Sequence, residues 1–206
     1  MLTLFGSGQS RSFRALWAIE ESGLPFDYKA VNIGQKGDDG TQTDAYKQLN
    51  FQGKVPTLMD DELIVNESAA ILNYIAARVP EKQLMPVDDI ALRAYYDEIC
   101  FFVLSDLEQA LWTYGKHSFV LPKELRIKAM LDVAHWEFEK SLKALNQYVA
   151  DKEFVVGEQF SMADILIAQT LNWAQRFKFD VSADLLSYKD NLYQREACQK
   201  ALQRVV

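Results

Sequence analysis

The chain of 206 residues holds two cysteines, Cys100 and Cys198, two histidines, and no apolar run approaching the ~20 residues that span a bilayer. Two thiols so far apart cannot build a disulfide framework, which points to a reducing compartment. There is no C-x-x-C pair, so a redox centre built on the protein's own dithiol is disfavoured. His117 and His135 stand eighteen residues apart with no cysteine near either, which argues against a metal site. Positive charge is also scarce: 22 Lys and Arg against 29 Asp and Glu leave a net −7 with no basic cluster, which argues against a nucleic-acid partner. The apolar start Met1 to Phe5 gives way to polar residues too soon for a signal peptide. The expectation is a cytoplasmic protein with no membrane or nucleic-acid partner.

What is present is ordinary for a globular chain, with 49% hydrophobic and 25% charged residues. The length allows one large domain or two small ones. In residues 1–78, strand and helix signals alternate. Leu2 to Phe5 reads as a buried strand, and a helical period from Phe13 ends at Gly23. Tyr28 to Ile33 reads as a second strand, and a short helix spans Asp44 to Leu49. Strands at Thr57 and Leu63 and a helix from Glu67 to Arg78 complete a βαβαββα order, which fits a four-stranded mixed sheet in the thioredoxin-like arrangement. Residues 79–87 carry two prolines and no period and read as a surface linker. Residues 88–206 read as all helical, with amphipathic patterns over Asp88 to Tyr114, Pro122 to Val149, Ser161 to Phe177 and Glu196 to Val205. Ser161 and Asp164 are spaced as an N-cap pair flanked by a hydrophobic staple, Phe160 and Ile165, a stabilising device rather than a site.

Two short segments carry chemistry. In Lys54-Val55-Pro56 the proline cannot donate to a ladder, so it belongs at the entrance of the strand Thr57-Leu58-Met59, in cis or trans, and leaves the Val55 backbone free to pair with a ligand's amides. Glu67-Ser68 stands where a strand gives way to a helix, with Asn66 as the N-cap candidate. Helix amides and the Ser68 hydroxyl suit a carboxylate, and Glu67 suits an amino group beside it. Together they describe a seat for an amino-acid head group on a small peptide.

These segments, with Phe160-Ser161-Met162-Ala163-Asp164-Ile165 near the C-terminus, make the chain resemble a soluble, bacterial-like glutathione transferase over nearly all its length. The resemblance implies a thioredoxin-like glutathione-binding domain followed by a helical-bundle domain. It also implies a homodimer, a role in detoxification, and glutathione as co-substrate without a metal. Lys54, Val55, Pro56, Glu67 and Ser68 match the family's glutathione-binding positions, with Lys54 placed for the glycyl carboxylate. A solvated lysine is the plain alternative. Gln52 and Lys36 have less support for the glycyl end, and Asp97 is a candidate to reach a partner subunit's ligand.

The reacting thiol must then come from glutathione, presented to the turn Gly6 to Ser12. Family members often hold the sulfur with a tyrosine at the end of the first strand or a Ser or Cys in the turn. This chain has Phe5 at the strand end, so a tyrosine-type mechanism is in doubt. Ser10 is the first candidate, at the expected helix start, with Gln9 and Arg11 as alternatives and backbone amides as a further source of donors. Ser10 read purely as a helix cap is the rival. Arg11 and Arg14 have two readings, a solvated first turn or orientation of the thiolate or of the turn by charge-assisted hydrogen bonds, and Arg14 is the more structural of the two. The function implied is attack by glutathione thiolate on an electrophilic small molecule. The alternatives are a glutathione-dependent disulfide reductase or peroxidase, and a non-catalytic glutathione-binding scaffold.

Overall fold

The computed structural model describes residues 1–205, which form two compact units, Met1–Met85 with the chain from Tyr193 onward, and Pro86–Leu192. In the first unit the strands β1 (Leu2–Gly6), β2 (Phe26–Ala30), β3 (Thr57–Asp60) and β4 (Leu63–Asn66) form one sheet in the order β2-β1-β3-β4. β1 runs parallel to β2 and antiparallel to β3, and β3 is antiparallel to β4. Burial follows rank in the sheet. Leu2, Thr3 and Leu4 of central β1 are all buried, whereas β2 and β4 at the edges alternate or stand exposed. The mixed sheet and the α/β character expected from the order are therefore present.

β2 begins two residues earlier than the sequence suggests. It pairs Leu2 with Phe26 and Gly6 with Ala30, and the Val31 amide closes the ladder on the Gly6 carbonyl at 2.8 Å. A strand extends only as far as its partner, and β1 ends where the Gly6 turn begins. Helix α1 (Ser12–Ser22) ends at Gly23, whose φ of 71° is the left-handed cap that glycine adopts most readily. Helices α2 (Asp44–Leu49) and α3 (Ser68–Arg78) lie where their patterns placed them, and α1 packs on α3. The stretch expected as a surface linker is not wholly at the surface. Val79, Leu84 and Met85 are buried around a 3₁₀ turn at Pro80–Lys82.

The second unit opens with α4 (Ile90–Phe102), capped by Asp89, whose carboxylate accepts from the Ala91 and Leu92 amides at 2.9 Å. It continues through a π-helical turn, Val103–Leu107, into α5 (Glu108–Gly115) and a second π turn, Lys116–Val120. Next, α6 (Ala129–Val149) starts seven residues later than the amphipathic pattern suggests. The residues between are held otherwise: Arg126 folds back to donate to the carbonyls of Ser118, Phe119 and Leu121 at 3.0, 2.8 and 2.7 Å, sealing the end of the preceding helix. α7 (Met162–Arg176) and α8 (Ala183–Tyr193) follow. α8 is absent from the expected pattern. α9 (Glu196–Gln203) belongs with the first unit rather than with the helices before it. It packs on α1, with Arg195 clamping Glu21 at 2.6 and 2.9 Å and Arg204 on Glu20 at 2.5 Å.

Asp164, in the first turn of α7, is fully buried and collects four donors. The Ser161 amide and hydroxyl bind at 2.7 and 2.9 Å, the Val155 amide at 2.9 Å and the Tyr188 hydroxyl at 2.5 Å. Burial pushes its carboxyl pKa up, while the four hydrogen bonds pull it back. The expected cap is thus also the tie between α7, α8 and the loop before them. Asp164→Ala would strand four buried donors, each costing about 1 kcal/mol or more, so a loss of at least ~3 kcal/mol is expected in urea unfolding. A loss below ~1 kcal/mol would show that these donors find other partners.

Candidate active site in the first unit

The segment Lys54-Val55-Pro56 joins α2 to β3, with a cis peptide bond between Val55 and Pro56. A cluster of polar side chains holds it. The Lys54 carbonyl accepts from the Tyr46 hydroxyl at 2.7 Å and from Asn50 Nδ2 at 3.0 Å. Both groups also meet Thr57 Oγ1, at 3.1 and 3.2 Å, and Thr57 donates to Asn66 Oδ1 at 2.8 Å. Asn66 Nδ2 in turn donates to the Leu49 carbonyl at 3.1 Å. Gly53, at φ 62°, has no room for a side chain: a Cβ there would lie 2.7 Å from the Thr41 carbonyl oxygen. The ladder of β3 begins only at Thr57, so the half-buried Val55 keeps both backbone polar groups without a partner among the described residues. The Lys54 side chain is exposed and its ammonium forms no hydrogen bond or ion pair among the described residues.

Asn66 is not the cap of α3. The β3–β4 ladder runs through Thr57 and Asn66, and this pairing turns the Asn66 amide toward Thr57 and Leu49 instead. Glu67 stands at the cap with φ 71° and ψ 121°, a conformation rare for a side-chain-bearing residue and concentrated at ligand sites. No side chain caps this helix, so the first amides of α3 remain available, and Ser68 is buried beside them. Glu67 itself is exposed. Ser68 Oγ accepts from Nη1 of Arg14, a fully buried residue of α1, at 3.5 Å.

The turn between β1 and α1 is internally bonded. Ser10 Oγ accepts from the Ser12 amide at 3.2 Å and donates to Ser12 Oγ at 3.0 Å, and Ser12 Oγ accepts from the Ser7 amide at 3.2 Å. Gly6 is required there, since a Cβ would meet Ser12 Cβ at 2.8 Å and the Tyr28 ring at 2.9 Å. Ser10 and Arg11 are half-buried and Gln9 is exposed. Ser10 thus bonds within the turn, one residue ahead of Arg11, which stands at the cap of α1, a helix that no side chain caps. Phe5 packs edge-on against Tyr46 with centroids 6.1 Å apart. Tyr46, Asn50 and Thr57 escaped the sequence reading as site-builders, since a polar residue on a short helix or strand carries no signal of what it will face, and the reading of Arg14 did not name Ser68 as its partner. Outside this unit, Asp97 is bound by Arg93 at 3.0 and 3.1 Å on its own helix, and His117 accepts from the Ile127 amide at 3.2 Å.

Residues 1–77 match the family model described as glutathione S-transferase, N-terminal domain, and residues 109–196 match the corresponding C-terminal domain. GstB of Escherichia coli K12, a glutathione S-transferase, is 32% identical over 172 residues, covering 82% of this chain and 80% of that protein. The chain belongs to the glutathione S-transferase family. GstA of Escherichia coli O157:H7 is 27% identical over 194 residues, 89% of each protein. Among solved structures, the bacterial beta class glutathione S-transferase of Sphingomonas chungbukensis superposes with a TM-score of 0.84 at 29% identity over 98% of both chains. A sphingomonad glutathione S-transferase complexed with glutathione gives 0.83 at 27% over the same shares.

In this glutathione S-transferase both cysteines are buried and free. Burial pushes each thiol pKa up to about 12. At Cys100 a hydrogen bond with Tyr96 works the other way, and at Cys198 the neighbouring Glu21 adds to the rise. Neither thiol is a nucleophile near neutral pH. The double variant Cys100→Ala, Cys198→Ala is expected to keep glutathione-dependent kcat/KM within ~10-fold, with only packing losses. A fall beyond ~100-fold, about 2.7 kcal/mol, in a folded variant would make a protein thiol part of the reaction.

Proposed function

We propose that the first unit binds glutathione and holds its sulfur as thiolate for attack on an electrophilic small molecule, in a detoxifying role. The observation that carries this is the pairing of an unladdered Val55 backbone with an uncapped α3 N-terminus at Ser68. One suits the cysteinyl amides and the other the γ-glutamyl α-carboxylate, with Glu67 for the amino group and Lys54 for the glycyl end. Pro56 ends the segment where β3 begins. The sulfur then faces the turn before α1, where Ser10, Gln9, Arg11 and the backbone amides are the donors.

A thiol of pKa ~8.5 lowered by ~2 units needs about 2.7 kcal/mol of preference for the charged form, within reach of two or three such contacts. No general base is required. Ultraviolet absorbance of the complex at neutral pH is expected to show thiolate, and Ser10→Ala is expected to reduce it. An unchanged signal in Ser10→Ala moves the role to Gln9, Arg11 or the amides. No thiolate signal in the wild type would favour a scaffold, and an activity panel of aryl halides, disulfides and hydroperoxides separates transferase from reductase or peroxidase.

The reading extends to a cytoplasmic homodimer. Free buried cysteines fit a reducing compartment, and Phe51, Ile90 and Phe101, 81%, 89% and 67% exposed, are large apolar groups that suit a covered surface. Sedimentation is expected to give twice the 23.6 kDa of one chain. A monomer at micromolar concentration would contradict the dimer alone.

A further inference from the structure

Arg14 is the one arginine with no exposed surface among the described residues, and it lies under the N-terminus of α3. That placement opposes what stabilises a helix, because the amide end already carries positive potential and favours anions. Burial of the guanidinium adds to the cost. The hydrogen bond supplies a second constraint. A hydroxyl has one proton, and when Arg14 Nη1 is aimed at the Ser68 oxygen, that proton is directed away from the guanidinium.

We infer that Arg14 is a positioning residue for glutathione: it turns the Ser68 hydroxyl outward as a donor to the γ-glutamyl α-carboxylate and sets a fixed positive charge behind it. The inference rests on the reading that this carboxylate sits at Ser68. Arg14 touches no ligand atom itself. It also joins the two halves of the site, since α1 carries the sulfur-facing turn at its start and α3 carries Ser68.

The test is calorimetric titration of glutathione and of an analogue whose γ-glutamyl α-carboxylate is replaced by hydrogen. The proteins are the wild type, Arg14→Met, Arg14→Lys, Ser68→Ala and the Arg14→Met, Ser68→Ala pair. Arg14→Met is expected to weaken glutathione about tenfold or more and to leave the analogue within about twofold, with Arg14→Lys between. The paired variant is expected to lose less than the product of the single losses. In turnover, KM for glutathione rises while kcat at saturation stays within about threefold, a split that a general loss of fold would not produce. A wild type that binds both ligands equally would overturn the Ser68 reading, and this inference with it. If the wild type prefers glutathione but a folded Arg14→Met loses neither ligand, or both alike, the role of Arg14 is overturned alone. Should Arg14→Met not fold, Arg14→Lys decides by the same comparison: loss confined to glutathione supports the role, and equal loss rejects it.

Discussion

The first unit depends on what converges at Thr57 Oγ1. Tyr46 of α2, Asn50 at the end of that helix and Asn66 of β4 reach this one buried hydroxyl, and through them the Lys54 and Leu49 carbonyls are satisfied. The two hydroxyls have one proton each, whereas three oxygen contacts need one: Tyr46 to Lys54, Tyr46 to Thr57, and Thr57 to Asn66. Asn50 relieves the shortage by donating to both Lys54 and Thr57. Removing any member would leave a buried polar atom unserved, so the cluster is held together as a unit. Its consequence is local: the chain ahead of β3 is anchored on one side, at the Lys54 carbonyl, while the next residue, Val55, keeps its backbone groups available.

Much of this was legible in the sequence, because the readable features are periodic or steric. Alternation and helical spacing placed the strands of the sheet and α1 to α3, and Gly23 marked the end of α1 through its left-handed cap. The cap at Ser161 and Asp164 was readable from residue type and spacing, though not the Tyr188 and Val155 donors that make it a hub. The failures share a cause, which is competition for a residue's polar groups by something distant in sequence. Asn66 has the composition of a cap, but a sheet ladder claims it. Pro122 to Lys128 carries a helical pattern, but Arg126 turns back to seal another helix. α9 has an amphipathic face but no mark of which partner it will choose, and Glu20 and Glu21 on α1 decide that. α8 is the exception to that cause, missed although Leu185, Tyr188 and Leu192 recur at helical spacing and are buried.

The candidate site was legible as segments and illegible as a shell. Lys54-Val55-Pro56 and Glu67-Ser68 announce themselves by backbone chemistry, which is local: a residue without an N–H, and a strand running into a helix. Arg14 does not, because an arginine in the first turn of a helix looks like a solvated one. Only the packing of α1 on α3 reveals that its side chain is enclosed. Ser68 then has a charged neighbour that no local pattern specifies.

The same packing bears on how a thiolate would be held. Phe5 occupies the strand end and is committed to packing, edge-on to Tyr46 and with the Lys29 ammonium 5.4 Å from its ring centroid. The neighbouring turn carries hydroxyls, but those of Ser10 and Ser12 already bond to each other and accept from the Ser12 and Ser7 amides. A hydroxyl in such a chain is polarised by the donor behind it, so Ser10 can turn toward a sulfur while Ser12 keeps its other partner, the Ser7 amide. The exchange replaces one neutral hydrogen bond of about 1 kcal/mol with a charge-assisted one of roughly twice that strength. One such exchange falls short of the 2.7 kcal/mol that a two-unit shift needs. The N-terminal end of α1 adds about 0.3 to 1 kcal/mol. On the proposed reading the sulfur is therefore stabilised by the turn as a whole, with the serine as the strongest single part of it.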